Sequence, residues 1–494
     1  MRVLLFMPRG KFNYKAPYVP LGVLSIATYL KEHGHTVRVV DRSFVKESAE
    51  KTVAAFAPDV VCVSLISVRL FDDAIRISAA AKKSGLPVIW GGMIPSDYYE
   101  VCLKAGYADY ISMGEGEINI LNLLAALESG GDVSRVKGIA YMKDGAPYKT
   151  EPQPVADLAE LPVIDFTLCD PDQYIHSYMC CDRMMYLYCS KGCFSHCTFC
   201  SNPTFHCNSY RMRPVDYVIR EIRYLYDNYH IDGVYFSDEC WYISKRYMRE
   251  FCRRLDEEDI HIYWGCELRC GMYNREDFEY MYAHGLRWVM LGLETGDPEM
   301  LKTIKKGITV EQIRKSVSVC KAVGVTTMVT FIVGYPEETP AQLQNTLDLL
   351  YEIKATISAC NIFTPIPNTE ITDELVKKNE YSLPEVSADI RKTLTTEYSP
   401  YRCKYIPMRD LRVIRSCFMW KVFTSKSVSE SKKHFEIARN SIKDTWNNIR
   451  RYGFKHLIPA LFITAGNFLP IFWYAHFYPK TRKKYHLERL FRDD

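Results

Sequence analysis

Residues 189–201 read CSKGCFSHCTFCS, and within them Cys193, Cys197 and Cys200 are spaced C-x3-C-x2-C. Thiolates are the ligands that suit iron–sulfur clusters. Three of them this close can wrap one cubane and hold three of its four irons, whereas an electron-transfer cluster takes four protein ligands. A position left open on a metal is where a substrate or cofactor binds. The spacing also admits a zinc knuckle, in which Cys189, His196 or Cys207 supplies a fourth ligand.

The pattern around the motif sets the fold. Downstream and just upstream, strand candidates at 184–189, 233–239, 262–268, 288–294, 327–334 and 359–367 alternate with amphipathic helices such as VDYVIREIRYLYDNY. Six βα units are too few for a closed eight-stranded barrel and predict an open, partial one with its chemistry at the strand carboxyl ends. Before residue 128, RVLLFMP (2–8), TVRVVD (36–41), DVVCVSLIS (59–67), PVIWGG (87–92) and DYISMG (109–114) alternate with helical segments. This predicts a separate parallel sheet covered on both faces. Its ligands would sit over the strand carboxyl ends, which carry Asp41, Ser64, Gly91-Gly92 and Gly114-Glu115-Gly116-Glu117. Residues 128–178 are rich in Gly and Pro and read as a linker with a small hairpin. The expected organisation is therefore α/β: a Rossmann-like (flavodoxin-like) domain over 1–142, a linker over 143–178, a partial (β/α)6 TIM-type barrel over 179–385 and a helical region over 386–494.

Bulk properties agree. The 494 residues are 48% hydrophobic and 25% charged, with a net charge of +4, so neither disorder nor a nucleic-acid-binding field is expected. Eighteen cysteines scattered over this length are not a secreted disulfide scaffold, and RVLLFMP is too short for a signal-peptide core. A reducing, cytoplasmic setting follows as the expectation. The run 457–478, LIPALFITAGNFLPIFWYAHFY, is long enough to span a bilayer but is interrupted by Pro459, Gly466, Asn467, Pro470 and His476 and flanked by basic residues. It reads as a monotopic element in peripheral contact with the inner face of a membrane or with a greasy substrate, or else as a cap on the barrel.

The cysteine spacing, the strand before it, the aromatic Phe199 before the last cysteine and the partial barrel after it resemble the radical S-adenosylmethionine (SAM) superfamily over about 184–370. The resemblance implies a [4Fe-4S] cluster on Cys193, Cys197 and Cys200, with SAM on its open iron and one-electron cleavage to a 5′-deoxyadenosyl radical. It also implies SAM contacts at successive strand ends. These are Phe199; Asp238 or Glu239 in SDEC, where the common Gly-Gly-Glu is missing; Glu267 and Arg269; Glu294 in GLETGDPEMLKTIKKGIT; Gly334 in GYPEET; and Pro365 in PIPNTE.

Ahead of such a barrel, PLGVLSIATYLKEHGHTVRVVD, the glycines at 91–92 and SMGEGE at 112–117 resemble a cobalamin-binding domain. Cobalamin contacts are expected at Ser64, Gly91, Gly92, Gly114, Glu115 and Gly116, where missing Cβ atoms let the backbone approach a corrin. No D-x-H-x-x-G follows the first strand; the loop RGKFNYKAPY stands there, so no histidine is placed to ligate cobalt. The class B methylase-like architecture implies radical methylation of an unactivated carbon on a hydrophobic small molecule, with flavodoxin or ferredoxin as electron donor. Oxidative cyclisation, rearrangement or C–C coupling on a lipid or tetrapyrrole is the second reading. A non-catalytic corrin or metal sensor is the third.

Overall fold

The computed structural model describes residues 1–10, 18–241, 244–386, 389–390, 401–424 and 472–491. Two seven-stranded sheets organise the chain. In the first, β1 (Arg2–Met7), β2 (Thr36–Asp41), β3 (Val60–Ser64), β4 (Val88–Gly91) and β5 (Tyr110–Ser112) are parallel, in the order β2-β1-β3-β4-β5. The β-branched runs VVCVS and VIWG are buried because α1 (Leu21–Glu32), α2 (Ala49–Phe56), α3 (Phe71–Lys83), α4 (Met93–Asp97), α5 (Tyr99–Lys104) and α6 (Gly116–Ser129) pack on the two faces. The strand order reverses between β1 and β3, which opens a crevice over the carboxyl ends.

The sheet does not stop at 142. An antiparallel hairpin, β6 (Ile139–Lys143) and β7 (Ala146–Lys149), adds two strands to its edge, so the first domain runs on to Lys149. Its turn is Asp144-Gly145, with φ of 51° and 79°, the two positive values a tight hairpin turn requires. The mostly exposed edge strand APYK carries no apolar pattern, which is why its sequence reads as linker.

The second sheet begins at His176, ahead of the expected 179. β8 (His176–Tyr178) lies antiparallel on β9 (Cys181–Leu187), and a small ribbon follows, β10 (Ser190–Gly192) with β11 (Tyr210–Met212), enclosing α7 (Asn202–Phe205). Parallel strands β12 (Gly233–Phe236), β13 (Tyr263–Leu268), β14 (Leu286–Glu294), β15 (Thr326–Val333) and β16 (Ile357–Ile362) complete the order β16-β15-β14-β13-β12-β9-β8. The intervening helices are α8 (Val215–Tyr229), α9 (Lys245–Glu257), α10 (Arg275–Ala283), α11 (Pro298–Thr303), α12 (Val310–Val323) and α13 (Pro340–Ile353), with α14 (Glu370–Lys377) after β16. Several begin with side-chain caps; α10, α12 and α13 carry full capping boxes. The sheet stays open, a half-barrel, as six βα units require.

Along β15 the helix-facing Val329, Phe331 and Val333 are fully buried while the inward-facing Met328, Thr330 and Ile332 are half-exposed; β16 repeats this with Ala359 and Asn361 facing in. The inward positions of these two strands are therefore less tightly covered than the outward ones. A C-terminal helix, α15 (Met408–Thr424), packs on the β16 side, with Phe418 4.9 Å from Phe331. Beyond it α16 (Pro479–Lys484) is tied back by Thr481 donating to Asp410 at 2.9 Å. Most of the 457–478 run lies outside the described residues, and no helix among the described residues is long and apolar enough to cross a membrane. The two sheets share core: Val19, Leu21 and Leu24 pack in the same cluster as Met184, Met185 and Phe236 of the barrel.

Candidate functional site

The loop carrying Cys193, Cys197 and Cys200 leaves β10 at the carboxyl-end mouth of the barrel. Cys197 is buried; Cys193 and Cys200 are half-buried. Thr198 anchors the loop, its N–H donating to Ile304 and its carbonyl accepting from Ile371. Two cations stand beside the sulfurs. Arg269, at the end of β13, donates to Ser195 Oγ and to the Lys306 carbonyl and lies 5.4 Å over the Phe194 ring. Lys306 pairs with Glu294 at 2.8 Å, and burial, which would neutralise it, is outweighed by Glu294 and the nearby Cys197, so its pKa is raised. Hydrogen bonding with Cys240 brings the Cys193 thiol down to about 6, while burial lifts Cys200 to about 11.

Among the described residues no three His, Cys, Asp or Glu side chains converge on one point as a single-ion cage. A cubane asks for something else, each sulfur on a different iron. The fourth ligands that a zinc knuckle would need point elsewhere. Cys189 is buried and directs its thiol to Asp238 at 3.3 Å, whereas His196 and Cys207 are exposed. Cys240, which the sequence reading passed over, is the additional sulfur next to the loop.

The strand-end residues divide by what they already hold. Asp238 is 1% exposed, and its carboxylate accepts from Cys189 N–H at 3.0 Å and from the N–H and hydroxyl of Ser190 at 2.5 Å each. Burial lifts it to about 6 against those bonds. These bonds tie the Asp238 carboxylate to the end of β9. Its neighbour Glu239 faces the mouth instead and accepts from Gly192 N–H at 3.1 Å.

Glu294 has a φ of 66°, a left-handed value for a non-glycine residue, at the register shift between β14 and β15. Strain of this kind concentrates at functional sites. Glu267, near the end of β13, is half-buried; its carboxylate accepts from Tyr235 Oη at 3.3 Å and is pushed up to about 7 by burial. Phe199 packs beside Tyr335, Met300 and Ile304, and Pro365 is buried in the loop after β16.

At Gly334, with φ of 83°, a Cβ would meet Leu411 of α15 at 2.5 Å, so the glycine admits the C-terminal helix, and its N–H donates to Glu338 at 2.6 Å.

The six residues expected at a corrin, Ser64, Gly91, Gly92, Gly114, Glu115 and Gly116, all line one cleft, open to solvent, between the first sheet and the barrel mouth. Leu5, Ile26, Ile66 and Ile89 make much of its wall apolar, and Tyr188, Lys191, His206 and Glu239 enter it from the barrel. Ser112, 1% exposed, turns an Oγ without a hydrogen-bond partner into the same cleft. An orphaned buried hydroxyl calls for a ligand partner, so the residues present fit a large, mostly apolar group with polar substituents.

The glycines serve close backbone contacts as well: a Cβ on Gly92 (φ 102°) would reach the Leu65 carbonyl at 3.0 Å. Glu117 is consumed by Ser25 and Lys191, each at 2.6 Å. His206 comes from the barrel, which no first-strand motif could announce. Its Nδ1 lies 2.8 Å from Glu115 and its Nε2 3.1 Å from Glu239. Burial would lower its pKa, but the two carboxylates lift it to about 9, and each ring nitrogen is engaged by one of them.

Known proteins agree with this geometry. The family model of the B12 binding domain matches residues 11–124 and that of the Radical SAM superfamily matches residues 187–350. An uncharacterized methyltransferase of Pyrococcus horikoshii is 25% identical over 390 residues, covering 77% of this chain and 84% of its own. The anaerobic magnesium-protoporphyrin IX monomethyl ester cyclase of Rubrivivax gelatinosus is 27% identical over 395 residues, covering 77% of this chain and 71% of its own. In fold, the chain is similar to the cobalamin-dependent S-adenosylmethionine radical enzyme OxsB with aqua-cobalamin bound. The TM-score is 0.71 and the identity 17%, over 100% of this chain and 80% of that one. These matches set aside the sensor reading and bring with them a [4Fe-4S] cluster, SAM and cobalamin as cofactors. A B12-binding domain joined to a radical SAM domain, with the strand ends of both meeting at one cleft, places this chain among the cobalamin-dependent radical SAM enzymes.

Proposed function

We propose that this enzyme methylates an unactivated carbon of a hydrophobic small molecule. The observation that carries the reading is the shared cleft: the glycine-lined floor of the first sheet opens directly onto the mouth of the barrel, so a corrin held there faces the lumen in which a substrate would lie. When bound, the cluster and SAM supply a one-electron route to hydrogen abstraction, and cobalamin supplies a methyl group.

The protein's part is to hold, orient and screen. Cys193, Cys197 and Cys200 would hold the cluster, and Arg269 and Lys306 would offset its negative charge. Glu239, Glu267, Arg269 and Glu294 would contact SAM, with Phe199 and Pro365 on the adenine side. Ser64, Ser112, Gly91, Gly92, Gly114, Glu115 and Gly116 would hold the corrin. Beside Glu267, Tyr235 lies 5.5 Å from Tyr186, 6.0 Å from Tyr178 and 6.2 Å from Trp288, a mostly buried aromatic cluster that backs that carboxylate.

The similarity to a magnesium-protoporphyrin monomethyl ester cyclase favours oxidative ring closure as the second reading. Completing the proposal are a ferredoxin or flavodoxin as reductant, a cytoplasmic location and peripheral membrane contact through 457–478. Anaerobic turnover with SAM, cobalamin, reductant and candidate lipids or tetrapyrroles tests it. Methylation yields both 5′-deoxyadenosine and S-adenosylhomocysteine; ring closure yields 5′-deoxyadenosine without S-adenosylhomocysteine; neither product overturns both readings.

A further inference from the structure

Three stretches of backbone meet between the cleft and the cysteine loop with no room for side chains. A Cβ on Gly114, in the β5–α6 loop, would lie 3.0 Å from the Phe205 carbonyl; one on Gly192, just before Cys193, would lie 2.1 Å from the Ser209 carbonyl and 3.3 Å from the His206 Cβ. His206 stands at the centre of this contact, 5% exposed. One ring nitrogen reaches Glu115 of the first domain at 2.8 Å and the other reaches Glu239 of the barrel at 3.1 Å. Glu239 in turn accepts the N–H of Gly192 at 3.1 Å. Glu115 is held further by Arg211, with Lys191 at 3.8 Å. Two carboxylates from different domains meet across one imidazole because a doubly donating cation lies between them.

We propose that His206 is a positioning residue that couples the two cofactor sites, transmitting occupancy of the corrin cleft through Glu115, Glu239 and Gly192 to the cysteine loop. This rests on the reading that both cofactors bind. A ligand that displaces Glu115 has to break or retain a charged, buried bond whose other end sets the Gly192 peptide. Interactions of this kind are all-or-none in a close-packed interior, so they carry coupling rather than absorb it. Coupling is reciprocal, so cobalamin changes SAM affinity by the same factor as SAM changes cobalamin affinity.

The test measures SAM binding by equilibrium dialysis on the cluster-reconstituted protein, with and without saturating hydroxocobalamin. It also records the electron paramagnetic resonance spectrum of the reduced cluster in both states. In the wild type, cobalamin is expected to shift the SAM dissociation constant by about 5-fold or more and to perturb the cluster signal. In His206→Gln, which keeps hydrogen-bonding capacity but not the charge, both responses are expected to collapse to less than about 2-fold and to no spectral change, with iron content and near-ultraviolet circular dichroism as in the wild type. Should His206→Gln fail to hold a cluster, Glu115→Ala removes the same bond from the corrin side, and the same loss is expected at a hydroxocobalamin concentration shown by its absorbance to saturate the variant. A wild type that binds both ligands independently, or a folded variant that keeps the full coupling, overturns the inference while leaving the proposed function standing. A wild type that binds no cobalamin overturns both.

Discussion

The two sheets of this protein are built alike, parallel strands with helical cover, yet their carboxyl ends are furnished in opposite ways. The first sheet presents glycines, serines and backbone around a largely apolar cleft. The barrel presents charged side chains, nearly all of them paired: Glu294 with Lys306, Arg269 with the cysteine loop, Asp238 with Cys189 and Ser190, Glu239 with His206. A large neutral-walled ligand needs space and a few polar points; a cluster and a zwitterionic cofactor need fixed charge in a low-dielectric mouth. If this contrast is right, substitutions on the two sides should fail differently.

The largest effect should follow removal of a cluster thiolate. Cys197→Ala should abolish the brown cluster absorbance and reduce SAM cleavage to background while leaving hydroxocobalamin binding to the first domain; a full cluster in this variant would end the assignment. Next comes Gly192→Ala, which forces a Cβ onto a carbonyl 2.1 Å away at a φ of 84°. It should lower the barrel's thermal transition and its iron content, through a local cost of about 1–3 kcal/mol.

Lys306→Met leaves Glu294 buried without its cation, destabilising by about 3 kcal/mol. It should also lower the cluster's reduction potential, because a cation beside the cluster favours the more negative, reduced form. A spectroelectrochemical titration with an unchanged or raised potential would contradict this. The mildest effect is expected on the other side: Ser112→Ala should weaken cobalamin binding by roughly 5-fold, the worth of one hydrogen bond, without altering cluster assembly.

The seam between the two sides should respond to pH. His206 is raised from 6.5 to about 9, so its contribution is complete below 6.5 and is lost as pH rises through 9. Glu115 would be raised by burial, but His206, Lys191 and Arg211 bring it from 4.5 to about 2, so its contribution is complete above 4.5 and is lost as pH falls through 2. Domain closure should therefore be tightest between about pH 4.5 and 6.5 and weaken on either flank. Melting curves of the cofactor-free protein that stay flat from pH 6.5 to 9.5 would argue against a charged His206.

The same contrast explains what could be read in the sequence. Parallel strands under helical cover announce themselves as short apolar, β-branched-rich runs, so all five parallel strands of the first sheet and all six of the barrel were legible. Glycines at strand ends and closely spaced cysteines are local signals too. Pairing is not. Nothing in SDEC distinguishes Asp238, which turns back to tie β9, from Glu239, which faces the mouth. Lys306 sits inside a quoted motif but shows its role only once Glu294 lies 2.8 Å away. His206, at the end of a short helix of the barrel, bridges to a domain 91 residues earlier in the chain. Gly334 also makes room for Leu411, a contact set by a helix 77 residues downstream in the chain and invisible in GYPEET. The small hairpin expected in the 128–178 stretch is β6–β7, but its pairing onto the first sheet was not legible, because a solvent-facing edge strand needs no apolar alternation.

The alternation of filled and half-exposed positions along β15 and β16 has a consequence for how such a molecule can change over generations. The staves of the half-barrel are held upright by what lies outside them, and the inward residues Met328, Thr330, Ala359 and Asn361 bear little of that burden. The lining can be rewritten one side chain at a time with small loss of folding stability, so a new guest can be admitted while the reactive apparatus at the rim stays as it was.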